Sequence, residues 1–414
     1  MKKAVVFTLG CKVNECESDS LITGLKELGY EVSDKLCVAD LYIVNTCAVT
    51  QEAERKSRQT LSRIRRLSKT AKVIFTGCAV QNNSQPFLEK EEGVLVTGVF
   101  NKNKILESLD ECGELISEQS KEFEELLPVS SLRTRAYVKV QDGCNNFCSY
   151  CIIPYLRGRN RARNPLSVLR EVESLTASEI ILNGINLSAY NYNGKDLTDL
   201  IKELSGVKKR IRLGSLEVNV IDDRFLTALK NLYAFAPHFH LSLQSGSNSV
   251  LKSMNRKYTR DEFVNKVNLI RQYFPDAGIT TDIIVGFPTE TEKDFLDTLE
   301  VVKLSQFSDL HAFTYSPRKG TVAYKMKDLD GNVKKQRLIR LLEEKEKCKL
   351  AFVEQSLSKT LTFLPEEYKD GYTEGYSENY LRCYVKGKVK KELTKVKVIS
   401  KFNQGALCQI NKGE

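Results

Sequence analysis

Three cysteines, Cys144, Cys148 and Cys151, fall within eight residues in the stretch QDGCNNFCSYCIIPY. Thiolates are soft ligands suited to zinc and to iron–sulfur clusters. Three on one short loop can hold three irons of a cubane cluster and leave the fourth iron open to a small molecule. A zinc site is the alternative, and it ordinarily takes four sulfur or nitrogen donors. The only three histidines, His238, His240 and His311, are not at finger spacing from this loop. Unliganded thiols are the third possibility. The spacing favours the cluster.

A second set is dispersed in sequence but recurrent in position. Cys11 follows the apolar run AVVFTL, Cys47 follows LYIVN, and Cys78 follows KVIFTG. If these runs are neighbouring parallel strands, the three thiols share the rim where open α/β sheets bind ligands. Free cysteine is among the most buried residue types, so three ordinary core cysteines are the competing explanation. Recurrence at the same end of three strands argues against it. Gly10 and Gly77, beside two of these thiols, let the backbone approach a bulky ligand. The chain therefore reads as built for two clusters, each with three protein thiolates. Cys16, Cys37, Cys112, Cys348, Cys383 and Cys408 fit neither set and read as structural.

The elements that must position these thiols follow from periodicity. The fold class is α/β. Residues 1–115 alternate apolar strand runs with helical stretches near 18–28, 52–67 and 101–109, giving a small α/β domain with a parallel sheet. Residues 113–128 are acidic and weakly periodic, and read as a linker. Residues 130–350 restart the alternation with six strand runs, AYVKVQ, EIILNG, RIRLGS, HFHLSLQ, GITTDIIVGF and DLHAFTYS. Six βα units point to a partial barrel with its site at the C-terminal strand ends; a doubly wound sheet is the competing topology. A long charged helix near 333–357 follows. Residues 356–414 switch to short strands and turns, a small all-β module.

The net charge of +10 favours an anionic partner. The stretch RGRNRAR places Arg157, Arg159, Arg161 and Arg163 just beyond the thiol loop. Arg55, Lys56, Arg58, Arg63, Arg65 and Arg66 form a second basic run, and Lys388, Lys390 and Lys391 belong to a third. Such groups neutralise phosphates and release counterions, though basic runs are also common on solvated faces. No apolar run approaches the ~20 residues of a membrane span. The start, MKKAVVFTLGC, has too short an apolar run for a signal h-region; it reads as a buried first strand, and the chain as cytoplasmic.

The loop CNNFCSYC resembles that of radical S-adenosylmethionine enzymes. With TLGCKVNECES, VNTCAVT, TGCAVQ, QDGCNNFCSYCIIPYLRGRNRAR, SLEVNVI, HLSLQSGSNSVLKSMNRKYT, TTDIIVGFPTETEKDF and YSPRKGT, the chain resembles a methylthiotransferase of that superfamily in order along nearly its whole length. It looks most like the type that acts on N6-threonylcarbamoyladenosine beside the anticodon of tRNA. Sister groups act on isopentenyladenosine in tRNA or on a ribosomal protein aspartate. The resemblance implies two 4Fe-4S clusters, on Cys11, Cys47 and Cys78 and on Cys144, Cys148 and Cys151. It also implies S-adenosylmethionine as cofactor, a radical SAM partial barrel, a TRAM-like RNA-binding β-barrel, a tRNA anticodon stem-loop as partner, and an electron donor such as flavodoxin or ferredoxin. Within that frame Asn183, Gly184, Glu217 and Gln244 at strand ends, Asp282 within the fifth central strand and Arg256 in MNRKY are candidates for contact with S-adenosylmethionine. A non-catalytic iron–sulfur or zinc RNA-binding protein is the rival of another class.

Overall fold

The computed structural model describes residues 1–89, 93–127 and 134–411. The domain limits expected at 130 and 414, and the linker's end at 128, lie outside these residues.

The first six strands form one parallel sheet in the order Glu31–Ser33, Lys3–Thr8, Leu41–Thr46, Lys72–Gly77, Leu95–Thr97, Gly113–Leu115. Leu41–Thr46 is buried at every position, as a central parallel strand covered on both faces must be. The supposed linker begins differently from expectation: Gly113–Leu115 is the edge strand of this sheet. Beyond it, Leu127 N–H donates to Ser20 Oγ at 3.0 Å and Asn103 donates to the Glu125 carbonyl at 2.8 Å, so the connection is tied to the first domain. The helix expected at 101–109 is a short 3₁₀ turn, Lys102–Leu106, entered through Asn101 in the left-handed region.

The central strands are Arg135–Asp142, Glu179–Gly184, Arg210–Leu213 with Ser215–Leu216, His238–Gln244, Gly278–Val285 and Asp309–Thr314, paired in parallel. The third run is split at Gly214. Its first half pairs with Glu179–Gly184 and its second with His238–Gln244, so this one run turns the corner between two sheets. A Cβ at Gly214 would sit 2.9 Å from Asn183 Oδ1 and 3.1 Å from the Leu182 carbonyl, so the turn is closely packed there. The result is the partial barrel, with helix Lys12–Glu27 of the first domain packed on its first two strands.

The last five strands close into a barrel, Thr360–Lys369, Tyr372–Ser377, Arg382–Lys386, Gly405–Ile410, Thr394–Phe402. Cys383 and Cys408 lie in its apolar core with Phe363 and Val396. This module is fastened beneath the N-terminal ends of the central strands. Glu179, fully buried, pairs with Arg135, Arg210 and Arg212 at 2.7, 2.5 and 2.9 Å. The same arginines reach into the module: Arg135 to Glu366 at 2.6 Å, Arg210 to the Thr362 carbonyl at 2.8 Å and Arg212 to the Ser377 carbonyl at 3.1 Å. His238 stacks on Tyr380 at 4.2 Å.

Burial alone pushes the Glu179 carboxyl up, but Arg212, Arg210 and Arg135 outweigh it and hold its pKa at about 2. A folded value below the unfolded one, about 4.3, stabilises above that pH and is lost as pH falls toward 2. Glu179→Gln leaves three buried guanidiniums short of a partner and is expected to cost about 3–5 kcal/mol at neutral pH. Denaturant midpoints should show the wild-type advantage over this variant shrinking as pH falls from 4.5 toward 2.

Candidate functional site

Cys11, Cys47 and Cys78 all leave the C-terminal edges of three adjacent strands, Lys3–Thr8, Leu41–Thr46 and Lys72–Gly77. Close packing holds them there. Gly77 has φ 96° and ψ −168°, a region essentially reserved for glycine. A Cβ on it would lie 2.5 Å from Asn45 Oδ1 and 2.6 Å from the Thr46 carbonyl; one on Gly10 would lie 2.9 Å from Cys47 Sγ. Asn14 donates to the Leu9 and Thr46 carbonyls at 2.8 and 3.0 Å, which pins the first helical turn to two strand ends.

The loop of Cys144, Cys148 and Cys151 leaves the end of strand Arg135–Asp142. Its continuation, helix Ile153–Arg157, is anchored in the other domain: Ile152 and Leu156 are buried in the first sheet's core with Val80, Phe87 and Phe100. Asn146 N–H and Asn186 Nδ2 face Cys144 Sγ at 3.5 and 3.8 Å, and Arg256 Nη1 faces Cys148 Sγ at 3.4 Å. Arg256 also pairs with Glu217 at 3.0 Å, and Glu217 accepts from Asn146 at 2.6 Å.

Burial, with repulsion from neighbouring thiolates, pushes Cys47 and Cys151 up to about 12. A polycation between the sulfurs would remove both penalties and leave them deprotonated. Among the described residues, the metal-ligating groups with three donor atoms all within 4.8 Å comprise His240, Asp282 and His311, and neither thiol set. A single tetrahedral ion with Zn–S bonds of about 2.3 Å would draw its sulfurs to about 3.8 Å. The thiols of each set are spread more widely than that, which fits a cluster better than a single ion, and at the loop the N–H groups aimed at Cys144 and Cys148 are donors that cluster sulfur ligands accept. Two of these three, His240 and Asp282, belong to a hydrogen-bond chain, and His311 lies with its ring 5.7 Å from that of His240. Asp282 meets His240 at 3.1 Å, and Thr280 bridges His240 and His238 at 2.9 Å each.

A cavity of about 250 Å³ is walled by both sets' surroundings: Val49 and Thr50 beside Cys47, Cys151 with Tyr150 and Ile152, and the barrel residues Gln244, Asp282, Ile284 and Thr314. Of the predicted contacts, Gln244 (φ 65°) and Asp282 line it, while Glu217 and Arg256 stand at the thiols. Asn183 and Gly184 do neither. Asn183 is buried with its amide 3.8 Å from Cys16, and Gly184 lies flush against the Gln141 side chain. Asn186, three residues on in the same stretch, is the one that meets a thiol; its place in a loop just past the strand was the available signal.

The basic stretch RGRNRAR corrects the sequence reading. Arg157, Arg161 and Arg163 are buried and turned inward, on Glu17 and Asp142, on backbone carbonyls and Asp142, and on Glu125 and Glu171 respectively. Burial removes them from any phosphate. Arg159 alone stays exposed, with its guanidinium 4.6 Å from the Phe147 ring. Lys388, Lys390 and Lys391 are exposed in the loop after Arg382–Lys386.

Two family descriptions match the chain: the radical SAM superfamily over residues 138–302, and the uncharacterized protein family UPF0004 over residues 3–98. The threonylcarbamoyladenosine tRNA methylthiotransferase MtaB of Bacillus subtilis is 37% identical over 89% of this chain and 85% of its own length. The enzyme of that name from Aquifex aeolicus is 38% identical over 87% and 92%. A tRNA-2-methylthio-N(6)-dimethylallyladenosine synthase of a Thermoanaerobacter strain is 37% identical over 83% and 78%. Among solved structures, the radical S-adenosylmethionine methyltransferase TsrM of Kitasatospora setae shares the fold at TM-score 0.52 and 15% identity, covering 76% of this chain and 75% of that one. Fold and site together define a radical S-adenosylmethionine enzyme, with S-adenosylmethionine and a 4Fe-4S cluster as the cofactors of that class. The chain belongs to the methylthiotransferases of that superfamily, and its relatives place it with the MtaB type.

Gly77→Ala should lower stability by more than the strain of a disallowed φ, about 1–3 kcal/mol. Gly29→Ala, at φ 83° with nothing within 4 Å of the added carbon, should cost only that strain. Urea midpoints of the two variants check the difference.

Proposed function

We propose that this protein methylthiolates C2 of N6-threonylcarbamoyladenosine at position 37, next to the anticodon of tRNA, using two S-adenosylmethionine molecules and two 4Fe-4S clusters. The observation that carries the reading is the shared cavity: Cys151 of one set, and Val49 and Thr50 beside Cys47 of the other, are walls of the same space. A reaction that joins a radical carbon to a sulfur needs both sources within reach of one atom. The bound cofactors supply the adenosyl radical, the methyl group and the sulfur. Cys144, Cys148 and Cys151 would hold the cluster that binds S-adenosylmethionine, and Cys11, Cys47 and Cys78 the second.

The chain's own residues bind, orient and exclude water. Arg256 brings a cation to Cys148 and is itself held by Glu217. Tyr150, Ile152 and Ile284 give the cavity an apolar wall, which protects a reactive intermediate from solvent. Gln244 and Asp282 offer polar contacts on the barrel side. Arg159 and the lysines of the C-terminal loop face solvent, where an RNA backbone would meet them. An unpaired anticodon loop allows the target base to be splayed into the cavity. A flavodoxin- or ferredoxin-like carrier is the expected electron donor.

The nucleoside is tested in cells lacking the protein: mass spectrometry of tRNA nucleosides should show loss of 2-methylthio-N6-threonylcarbamoyladenosine. Loss of the isopentenyl analogue instead would transfer the reading to the sister substrate, one of whose enzymes is 37% identical over 83% of this chain. In vitro with dithionite, Cys47→Ala should abolish the methylthio product yet still yield 5′-deoxyadenosine, whereas Cys148→Ala should stop both. Normal product from Cys47→Ala would make the first thiol set structural.

Replacing Lys388, Lys390 and Lys391 by alanine should weaken tRNA binding and flatten its salt dependence, with the slope falling by about 0.7–0.9 for each phosphate left without its cation. Cleavage of S-adenosylmethionine without RNA should persist. Fluorescence anisotropy at several salt concentrations reads both the affinity and the slope.

A further inference from the structure

Arg157 sits six residues beyond Cys151, on the short helix that follows the radical loop, yet its side chain ends in the other thiol set. Its guanidinium is fully buried, and each of its nitrogens is engaged. Nε donates to Cys78 Sγ at 3.3 Å. Nη1 donates to Glu17 at 2.8 Å and to Asp142 at 3.2 Å. Nη2 donates to Asn14 Oδ1 at 2.9 Å and to Glu17 at 3.2 Å. Asn14 in turn accepts from the Cys11 thiol at 3.7 Å. A residue of the central domain thus meets one thiol of the first domain directly and a second through one side chain.

We propose that Arg157 is a positioning residue for the cluster at Cys11, Cys47 and Cys78, setting its reduction potential and its placement relative to the radical loop. The inference rests on the reading of those cysteines as cluster ligands. Hydrogen bonds to ligand sulfur and nearby charge are among the quantities that set an iron–sulfur potential. An N–H and a cation at Cys78 favour the reduced, more negative cluster, so Arg157 raises the potential. Only a planar fork with five donors spans Cys78, Asn14, Glu17 and Asp142 at once; a lysine ammonium keeps the charge and loses the geometry. The fork also makes the two sites one rigid unit. Ile152 and Leu156 on the same segment are buried in the first domain's core, so the radical loop cannot shift without moving the group on Cys78.

The test uses the full chain with Cys144→Ala, Cys148→Ala and Cys151→Ala, so that iron has only the first thiol set to bind. In that background Arg157→Lys and Arg157→Gln are compared with Lys102→Met. Lys102 pairs with Glu17 at 3.2 Å, so its loss removes a cation from the same buried group without touching Cys78. Iron and sulfide are counted, and the midpoint potential is read by electron paramagnetic resonance during reductive titration. Both Arg157 variants should keep about four irons and titrate at a lower potential than the parent, with Lys102→Met closer to the parent. If an Arg157 variant folds as stably as Lys102→Met but loses iron that Lys102→Met retains, the positioning role is likewise supported. Potentials and spectra equal to the parent's, or an equal shift in Lys102→Met, would overturn the inference and leave the second cluster standing. A parent background that holds no iron would instead remove the second cluster itself, and this inference with it.

Discussion

Glu17 is a carboxylate with no exposed surface, in the second turn of the first helix. A buried charge is tolerated only when paired. Its partners are Arg157 from the segment after the radical loop, Lys139 from the first barrel strand and Lys102 from the 3₁₀ turn, at 2.8, 3.0 and 3.2 Å. Asp142 joins through Lys139 and Arg157 at 2.7 and 3.2 Å. Burial pushes both carboxyls up, but the surrounding cations win: Glu17 is held well below the usual carboxylate range and Asp142 at about 2. Such a group adds little net stability over an apolar one of the same shape, but removing one member costs about 3–5 kcal/mol. Its physical effect is therefore on register. The charges pair across the two domains, and in that arrangement Cys151 of the loop and Val49 and Thr50, just past Cys47 at the sheet edge, wall one cavity.

The parts legible in the sequence were those that local pattern determines. Parallel strands covered on both faces are unbroken apolar runs, so AVVFTL, LYIVN and KVIFTG stood out, and the cysteines at their ends shared a rim by consequence. The six central runs were legible for the same reason, though not the corner at Gly214, which depends on how closely Asn183 approaches. The basic stretch after the thiol loop misled. Three of its four arginines face inward, and the carboxylate that Arg157 meets most closely, Glu17, lies 140 residues before it. Nothing local distinguishes a guanidinium bound for a phosphate from one bound for a buried carboxylate. Asn14, Asn146 and Asn186 were hidden for a related reason. An amide is an ordinary loop or cap residue until the fold brings a thiol to it.

The C-terminal module and the cavity lie at opposite ends of the central strands. Glu179, Arg210 and His238 open their strands beneath the module, whereas Gln244 and Thr314 close theirs at the cavity. From His238 to Gln244 the strand covers about 20 Å at roughly 3.3 Å per residue. The module cannot swing across that gap, because Arg135, Arg210 and Arg212 serve Glu179 and the module together, and a Cβ on Gly278 would already overlap the Asn379 carbonyl. A partner that engages the exposed lysines of the C-terminal loop while placing one atom in the cavity must bridge that distance itself. A free nucleoside is too short to do so. A folded nucleic acid, with a charged backbone for the module and an unpaired base for the cavity, has both the reach and the chemistry.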